Sequence, residues 1–524
     1  MSPLADPSGA RPPLAPGWRP DPLFLGIDCS TTGSKAVLVD VAGHTVAAGS
    51  SPLVSSSPRA GWHEQDARTW WPATDAAVQQ ALAGVQDRSR VVALCLTHQR
   101  ETFVAVDEAN VPLHPALLWL DARAADEIAE LGTAEVERLC GKPADITPAL
   151  YKLAWVRRHR PAWLAAAHRV VDTHAFLVHE LTGRWDTSVS SADPLALLDV
   201  ATRDWSDVLL AVAGVRRDQL PDLHDAGAVL GPLRPEVVER WGVPADVAVA
   251  AGLGDGQAAG VGADVLDASR AYLNLGTAVI IGTERRGYAP SRSYRSLISV
   301  LPGGTTLETF LSSGTYLPTW FRRELGSSAS EAPDAALEAA AAALPPGADG
   351  LLTLPYWNAA QTPHWDPHAS GAVLGWRGIH TRAHVYRSLF EGIAQELRLQ
   401  LDGLEAATGT RVEVIRAMGG GSRSPLFGQI LADVLGRPLE ICAEPEISAL
   451  GAAIVASVAV GAHPALAQAC RAMTSTGRIV QPETARTARY AQLRTVHEQL
   501  YPQLRDLMRT LDGIVQVQTE GDER

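Results

Sequence analysis

Apolar residues in this chain come in short runs that stop at single polar residues, and the candidate chemistry gathers at the stops. The run 23–27 ends at Asp28, a small polar turn (Ser30, Thr31, Thr32, Gly33, Ser34) follows, and after Lys35 a second apolar run covers 36–39. Two apolar runs around such a turn predict a β-hairpin. A Gly43-His44 turn then leads to a third strand at 44–50. Next comes a helix carrying Trp70, Trp71, Ala77 and Val78, with Asp66 as its N-cap. The run 91–96 is wholly apolar, as in a central strand covered on both faces. It ends in Thr97-His98-Gln99-Arg100-Glu101-Thr102.

The second half repeats this order loosely. Strands at 271–275 and 278–282 flank Gly276-Thr277, and another lies at 296–301. A long helix at 384–405 precedes a strand at 413–417, a glycine turn at 419–421, and a strand at 438–442 between two helices. The Ala/Gly-rich run 447–462 is shorter than a spanning helix and reads as a buried one. The duplication predicts an α/β protein of two domains with related topology. The clusters at 28–35, 97–102, 276–277 and 419–424 fall beyond strand carboxyl ends, where open α/β sheets gather ligands. The expected division is a disordered Pro/Gly-rich tail at 1–21, domains at 22–265 and 266–485, and a terminal helix with a polar tail at 486–524.

Several residues in these stretches suit phosphate and hydroxyl chemistry. The turn with Thr31 and Thr32 can aim N–H groups and hydroxyls at a phosphate chain, Lys35 adds positive charge, and Asp28 can hold Mg²⁺ directly or through water. An ordinary Ser/Thr-rich hairpin is the plainer alternative. Asp255 interrupts the apolar, glycine-flanked stretch 247–262. It is a candidate general base for a substrate hydroxyl, or a cap of the helix that follows. Gln99, Arg100 and Glu101 suit a small molecule with several hydroxyls, or form a structural ion pair. Trp119 can cover the apolar face of a carbon chain while Asp121 holds an edge, or Trp119 is core. Gly420, Gly421 and Ser424 lie between a strand and a helix, where a base and ribose can come close.

Composition narrows the partners. With 524 residues, 46% of them hydrophobic, the chain exceeds one core. The formal charge of −13, from 45 basic against 58 acidic residues, argues against a broad nucleic-acid surface. No apolar signal region opens the chain, and the five cysteines are scattered without a C-x-x-C pair. That fits a reducing, cytoplasmic setting without a zinc site and without a membrane partner.

The blocks "GIDCSTTGSKAVLVD", "GWHEQDARTWW", "LLWLDARA", "GLGDGQAAG", "LPYWNAAQTPHWDP" and "AMGGGSRSPLFGQILADVLGRPLEI", in this order, resemble those of the FGGY carbohydrate kinases over about residues 22–485. The resemblance implies two actin-like ATPase (ribonuclease H-like) domains around a central catalytic cleft. It also implies ATP and Mg²⁺, with transfer of the γ-phosphoryl group to a primary hydroxyl of a sugar or polyol. Asp255 then matches the catalytic base, and Asp28 the metal-associated carboxylate. Thr31, Thr32 and Lys35 match the first phosphate loop, Gly276 and Thr277 the second, and Gly420, Gly421 and Ser424 the adenosine side. Gln99, Arg100, Glu101, Trp119 and Asp121 are expected to hold the acceptor, with hinge closure on binding.

Subfamily signals are mixed. Ala149 stands where the family signature expects Pro, Ser or Thr, three residues before Lys152. Gln99-Arg100-Glu101-Thr102 resembles glycerol kinases, which carry Gln where this chain has Gly256. The carboxy-terminal blocks look more like xylulose kinases, which place Met-His at the position of Arg100-Glu101. A pentulose kinase of the xylulose type leads, followed by a glycerol or short-polyol kinase. A non-catalytic actin-like nucleotide-binding regulator is the third reading. A homodimer is left open.

Overall fold

The computed structural model describes residues 19–325 and 334–522, so the expected tail at 1–21 falls almost wholly outside the described residues. The described residues divide into two units, one comprising residues 19–264, 297–303 and 446–475, the other 265–296, 304–325, 334–445 and 476–522.

The first unit is built on six strands: β1 (Leu23–Cys29), β2 (Gly33–Val39), β3 (Thr45–Pro52), β4 (Val91–His98), β5 (Val229–Pro232) and β6 (Ala248–Gly254). Their order is β5-β6-β4-β1-β2-β3. From β3 inward, β3/β2 and β2/β1 pair antiparallel, β1/β4 and β4/β6 parallel, and β6/β5 antiparallel. β4 is therefore central, which accounts for its near-continuous apolar run. Asp66 caps a short turn, Ala67–Thr69, and the helix Trp70–Ala83 continues from it. Trp70 is fully buried, edge-on to Phe176 at 5.3 Å, with its indole N–H donated to Gln65 Oε1 at 2.7 Å. That satisfies the one polar atom of a large apolar side chain.

The helix Ile447–Ala459 packs on β1 and on the helix Asp255–Gly262. Small residues make this possible. A Cβ on Gly451 would stand 2.0 Å from the Ala258 carbonyl oxygen, so only glycine lets these two helix backbones approach so closely. The Ala/Gly composition of this run thus reflects helix contact inside the first unit.

The sheet of the second unit holds β7 (Arg270–Leu275), β8 (Val279–Arg286), β9 (Arg295–Ile298, of which residues 297 and 298 are grouped with the first unit), β10 (Gly304–Leu311), β11 (Val414–Met418), β12 (Leu439–Cys442) and β13 (Thr476–Val480), in the order β9-β10-β8-β7-β11-β12-β13. From β10 to β13 the pairings run antiparallel, antiparallel, parallel, parallel, antiparallel. That is the sequence of pairings from β3 to β5 in the first unit. The expected α/β pair of actin-like domains is what these two sheets form. The long helix Arg382–Thr408 covers the second sheet, its buried face including Leu389, Ile393, Leu397 and Leu401. The terminal helix runs from Thr484 to Asp522, through most of the segment expected as a polar tail.

Candidate active site

Register puts the key carboxylates of the first unit at one end of its sheet. Asp28 on β1 lies opposite Thr97 on β4, and Leu253 on β6 lies opposite the same Thr97. Asp28 therefore stands one residue before the end of its strand, where β6 is about to deliver Asp255. Burial pushes the Asp28 carboxyl up to about 7; the Asp255 and Glu446 carboxylates push the same way, and Lys35 opposes them. Its Oδ1 is shielded from solvent and has no hydrogen-bond partner among the described residues. Lys35 Nζ donates to Glu446 Oε2 at 2.7 Å, so its charge is shared with a residue at the start of the helix Ile447–Ala459.

Asp255 is the first residue of the helix Asp255–Gly262, after Gly254 as N-cap. Its Oδ1 accepts from the Gly256 N–H at 2.8 Å. A carboxylate there is stabilised by the helix N-terminus, so the carboxylate and the helix start support each other without Asp255 being the cap residue. Arg100 Nε stands 2.7 Å from the same Oδ1; the Arg100 side chain is 4% exposed and that of Asp255 44%. A buried guanidinium thus holds a solvent-facing carboxylate.

The turn after β1 is wired to the end of β4. Thr31 Oγ1 donates to Gln99 Oε1 and accepts from the Trp119 indole N–H, both at 3.0 Å. Gln99 Nε2 donates to Gln65 Oε1 at 3.0 Å, and Gln65 Nε2 to the Thr31 carbonyl at 2.9 Å. The Thr31 hydroxyl and the Gln99 amide are therefore occupied in fixing this corner. Thr32 is exposed. Glu101 is buried with φ +60°, a left-handed conformation costing a non-glycine residue about 1 kcal/mol. Strain of this kind recurs at functional positions.

Asp121 is fully buried, and its oxygens accept from the His63 and Arg123 N–H groups and from the Arg123 side chain at 2.7–3.1 Å. The structure gives it a supporting place, with no solvent-facing oxygen. Lys152, buried, donates to the Ile146 and Thr147 carbonyls at 2.9 and 2.7 Å. Burial pulls its ammonium down to about 8, against the Glu101 and Asp121 carboxylates. It fixes the loop that precedes its own helix.

In the second unit Gly276 and Thr277 form the β7/β8 turn. The Gly276 carbonyl accepts from the Thr315 N–H and hydroxyl at 3.1 and 2.7 Å, and Thr277 is exposed. Gly420 and Gly421 open a 3₁₀ turn after β11. Ser424 caps the helix Pro425–Leu435 through the Phe427 N–H and donates to Glu338 Oε1. Gly420, Gly421 and Ser424 line a cavity of about 790 Å³ with Arg322, Glu338 and Phe390, within the usual range for a small-molecule site; Gly276 and Thr277 are not part of its lining.

The sequence-predicted residues of the first unit thus gather at one sheet end, and those of the second unit at another. Glu446, Gln65 and Glu338 were missed. Gln65 stood inside a quoted motif, whereas Glu446 and Glu338 act across hundreds of residues or from a plain helix. Among the described residues no cluster of three His, Cys, Asp or Glu is placed to hold a metal by protein ligands alone.

Family models match along both units: the N-terminal domain of the FGGY family of carbohydrate kinases over residues 23–262, and its C-terminal domain over residues 271–460. The xylulose kinase of Escherichia coli (strain K12) is 33% identical, covering 93% of this chain and 100% of its own length. The glycerol kinase of Bordetella parapertussis is 32% identical over 84% of this chain and 89% of its own. The crystal structure of xylulose kinase from Rhodospirillum rubrum superposes with a TM-score of 0.85 at 28% identity, covering 93% of this chain and 99% of that one. With both halves matched and the strand-end residues in place, this chain belongs to the FGGY family of carbohydrate kinases.

Proposed function

We propose that the protein transfers the γ-phosphoryl group of ATP to a primary hydroxyl of a small ketose, a pentulose such as xylulose, with Asp255 as the base. The observation that carries the mechanism is the Arg100–Asp255 pair: a half-exposed carboxylate at a helix N-terminus, held at 2.7 Å by a buried guanidinium. In phosphoryl transfer the protein mainly positions reactants and offsets charge. Asp255 orients the acceptor hydroxyl and takes its proton as the oxygen attacks. Arg100 and Glu101, with the indole of Trp119, hold the acceptor. Thr31, Gln99 and Asp121 keep those groups in place.

In the first unit the turn at Thr31–Thr32 offers backbone N–H groups suited to phosphate; in the second unit the turn at Gly276–Thr277 does the same, and the cavity beside Gly420, Gly421 and Ser424 takes the adenosine. The shielded Oδ1 of Asp28, without a hydrogen-bond partner among the described residues and in the field of two more carboxylates, fits a Mg²⁺ ion that keeps most of its water. When bound, that ion would neutralise phosphate charge. The five described cysteines are all free thiols, which supports a cytoplasmic setting. No helix among the described residues is long and apolar enough to cross a membrane.

The xylulose reading draws on the likeness to the Escherichia coli xylulose kinase along that enzyme's full length. A glycerol or short-polyol kinase is the second reading, favoured by Arg100-Glu101 and by the glycerol kinase likeness. ATP-dependent phosphorylation of xylulose, ribulose, glycerol and erythritol separates them. A kcat/KM for xylulose at least about tenfold above glycerol supports the first, since one well-placed polar contact is worth that much. The reverse order establishes the second.

A further inference from the structure

We infer that His174 and Ser188 are positioning residues that clamp the Gly252 peptide and thereby set where Asp255 stands. This rests on the reading of Asp255 as the base.

The ladder between β6 and β4 slips between Ala250 and Leu253, leaving Ala251 and Gly252 out of register. Backbone groups expelled from a ladder and kept from water need other partners. Ala251 finds them in the preceding loop: its N–H donates to the Ala228 carbonyl, and its own carbonyl accepts from the Gly227 N–H, both at 2.8 Å. Gly252 is held by side chains instead. Its N–H donates to His174 Nε2 at 2.9 Å, and its carbonyl accepts from Ser188 Oγ. No other residue fits here, because a Cβ would lie 1.9 Å from the Leu96 carbonyl oxygen and 2.7 Å from His174 Nε2. Three residues later the chain reaches Asp255.

The tautomer of His174 follows from its partners. Nε2 receives an N–H, so the ring proton sits on Nδ1 and is donated to Thr187 Oγ1 at 3.0 Å. The ring is fully buried and neutral; burial and the neighbouring His98 hold its pKa well below the ordinary value. His98 lies 5.7 Å away, centroid to centroid, and its Nδ1 donates to the Gln99 carbonyl at 2.8 Å. Two adjacent neutral histidines therefore grip the backbones of both strand ends, one before Arg100 and one before Asp255.

The test compares His174→Phe, which keeps a ring but removes the acceptor, with His174→Gln, whose Oε1 can accept from the Gly252 N–H. Ser188→Ala probes the other side of the peptide. Each is made in the wild-type and the Asp255→Asn background, with kcat, both KM values and thermal unfolding measured on the full chain. His174→Phe is expected to lower kcat by at least about tenfold with each KM within about threefold, the signature of a misplaced base. His174→Gln is expected to recover most of that loss. In the Asp255→Asn background His174→Phe should change the residual kcat by less than about twofold, because the two act through one group. Wild-type kcat in folded His174→Phe, or an equal loss in both backgrounds, overturns the clamp. If His174→Phe does not fold, Ser188→Ala decides by the same criteria. Near-wild-type turnover in Asp255→Asn itself would instead defeat the assignment of the base.

Discussion

Arg100 Nε stands 2.7 Å from Asp255 Oδ1, tying the end of β4 to the first residue of the helix that follows β6. On the proposed roles, Arg100 holds the base as well as the acceptor. Arg100→Ala is expected to raise the acceptor KM and to lower kcat, each by about tenfold, from the loss of one charge-assisted contact. The nucleotide KM should not move. Steady-state kinetics in both substrates check this; a change in acceptor KM alone would confine Arg100 to binding.

Asp28 combines an unfavourable burial with an oxygen that has no hydrogen-bond partner among the described residues, as a residue held for a ligand would. Asp28→Asn is expected to cut kcat by about thirtyfold or more and to raise the Mg²⁺ concentration for half-maximal activity, as expected when charge stabilisation worth a few kcal/mol is lost. Titrating Mg²⁺ at saturating ATP measures both. An unaltered Mg²⁺ dependence would remove Asp28 from the metal.

The place of a Cβ on Gly420 is open space beside the cavity of the second unit. Gly420→Leu should therefore fold normally while filling part of that cavity, the proposed seat of the nucleotide. The nucleotide KM is expected to rise by about tenfold or more, from contacts that cannot form, with the acceptor KM unchanged. Calorimetry with an ATP analogue gives the same answer without turnover.

His114 provides a pH-dependent stability term away from the site. Buried against Trp163, its Nδ1 donates to the Pro115 carbonyl and its Nε2 accepts from the Ala105 N–H. Burial pulls its pKa down from 6.5 to about 4. The unfolded chain takes up this proton first, so the stability is complete above about pH 6.5 and is lost as pH falls toward 4. His114→Phe is expected to lose about 2 kcal/mol less than wild type between pH 7 and pH 5. Urea unfolding of the first unit at the two pH values measures the difference.

Much of this site was legible because it sits where apolar runs end. Asp28, the polar stretch after β4, and Asp255 each interrupt an otherwise apolar stretch, and a strand end is where such an interruption is tolerated. The two hairpins were legible from their small polar turns. Partnerships across sequence were not. Lys35 reads as a free cation until Glu446 is found 2.7 Å away, and Asp121 reads as a ligand contact until Arg123 and His63 occupy it. The strand Thr476–Val480 had no clear alternation, because its side chains are mostly exposed. The slip in β6 that calls on His174 leaves only a glycine among glycines as its trace.

The most direct measurement is ADP formation with xylulose, ATP and Mg²⁺ by wild type and by Asp255→Asn, with ³¹P NMR of the sugar product. If a carboxylate at the tip of β6 draws the proton from the attacking sugar oxygen, wild type makes a phosphomonoester on a primary carbon and the amide variant slows by about a hundredfold or more with its ATP affinity intact. Equal rates for the two proteins would contradict it.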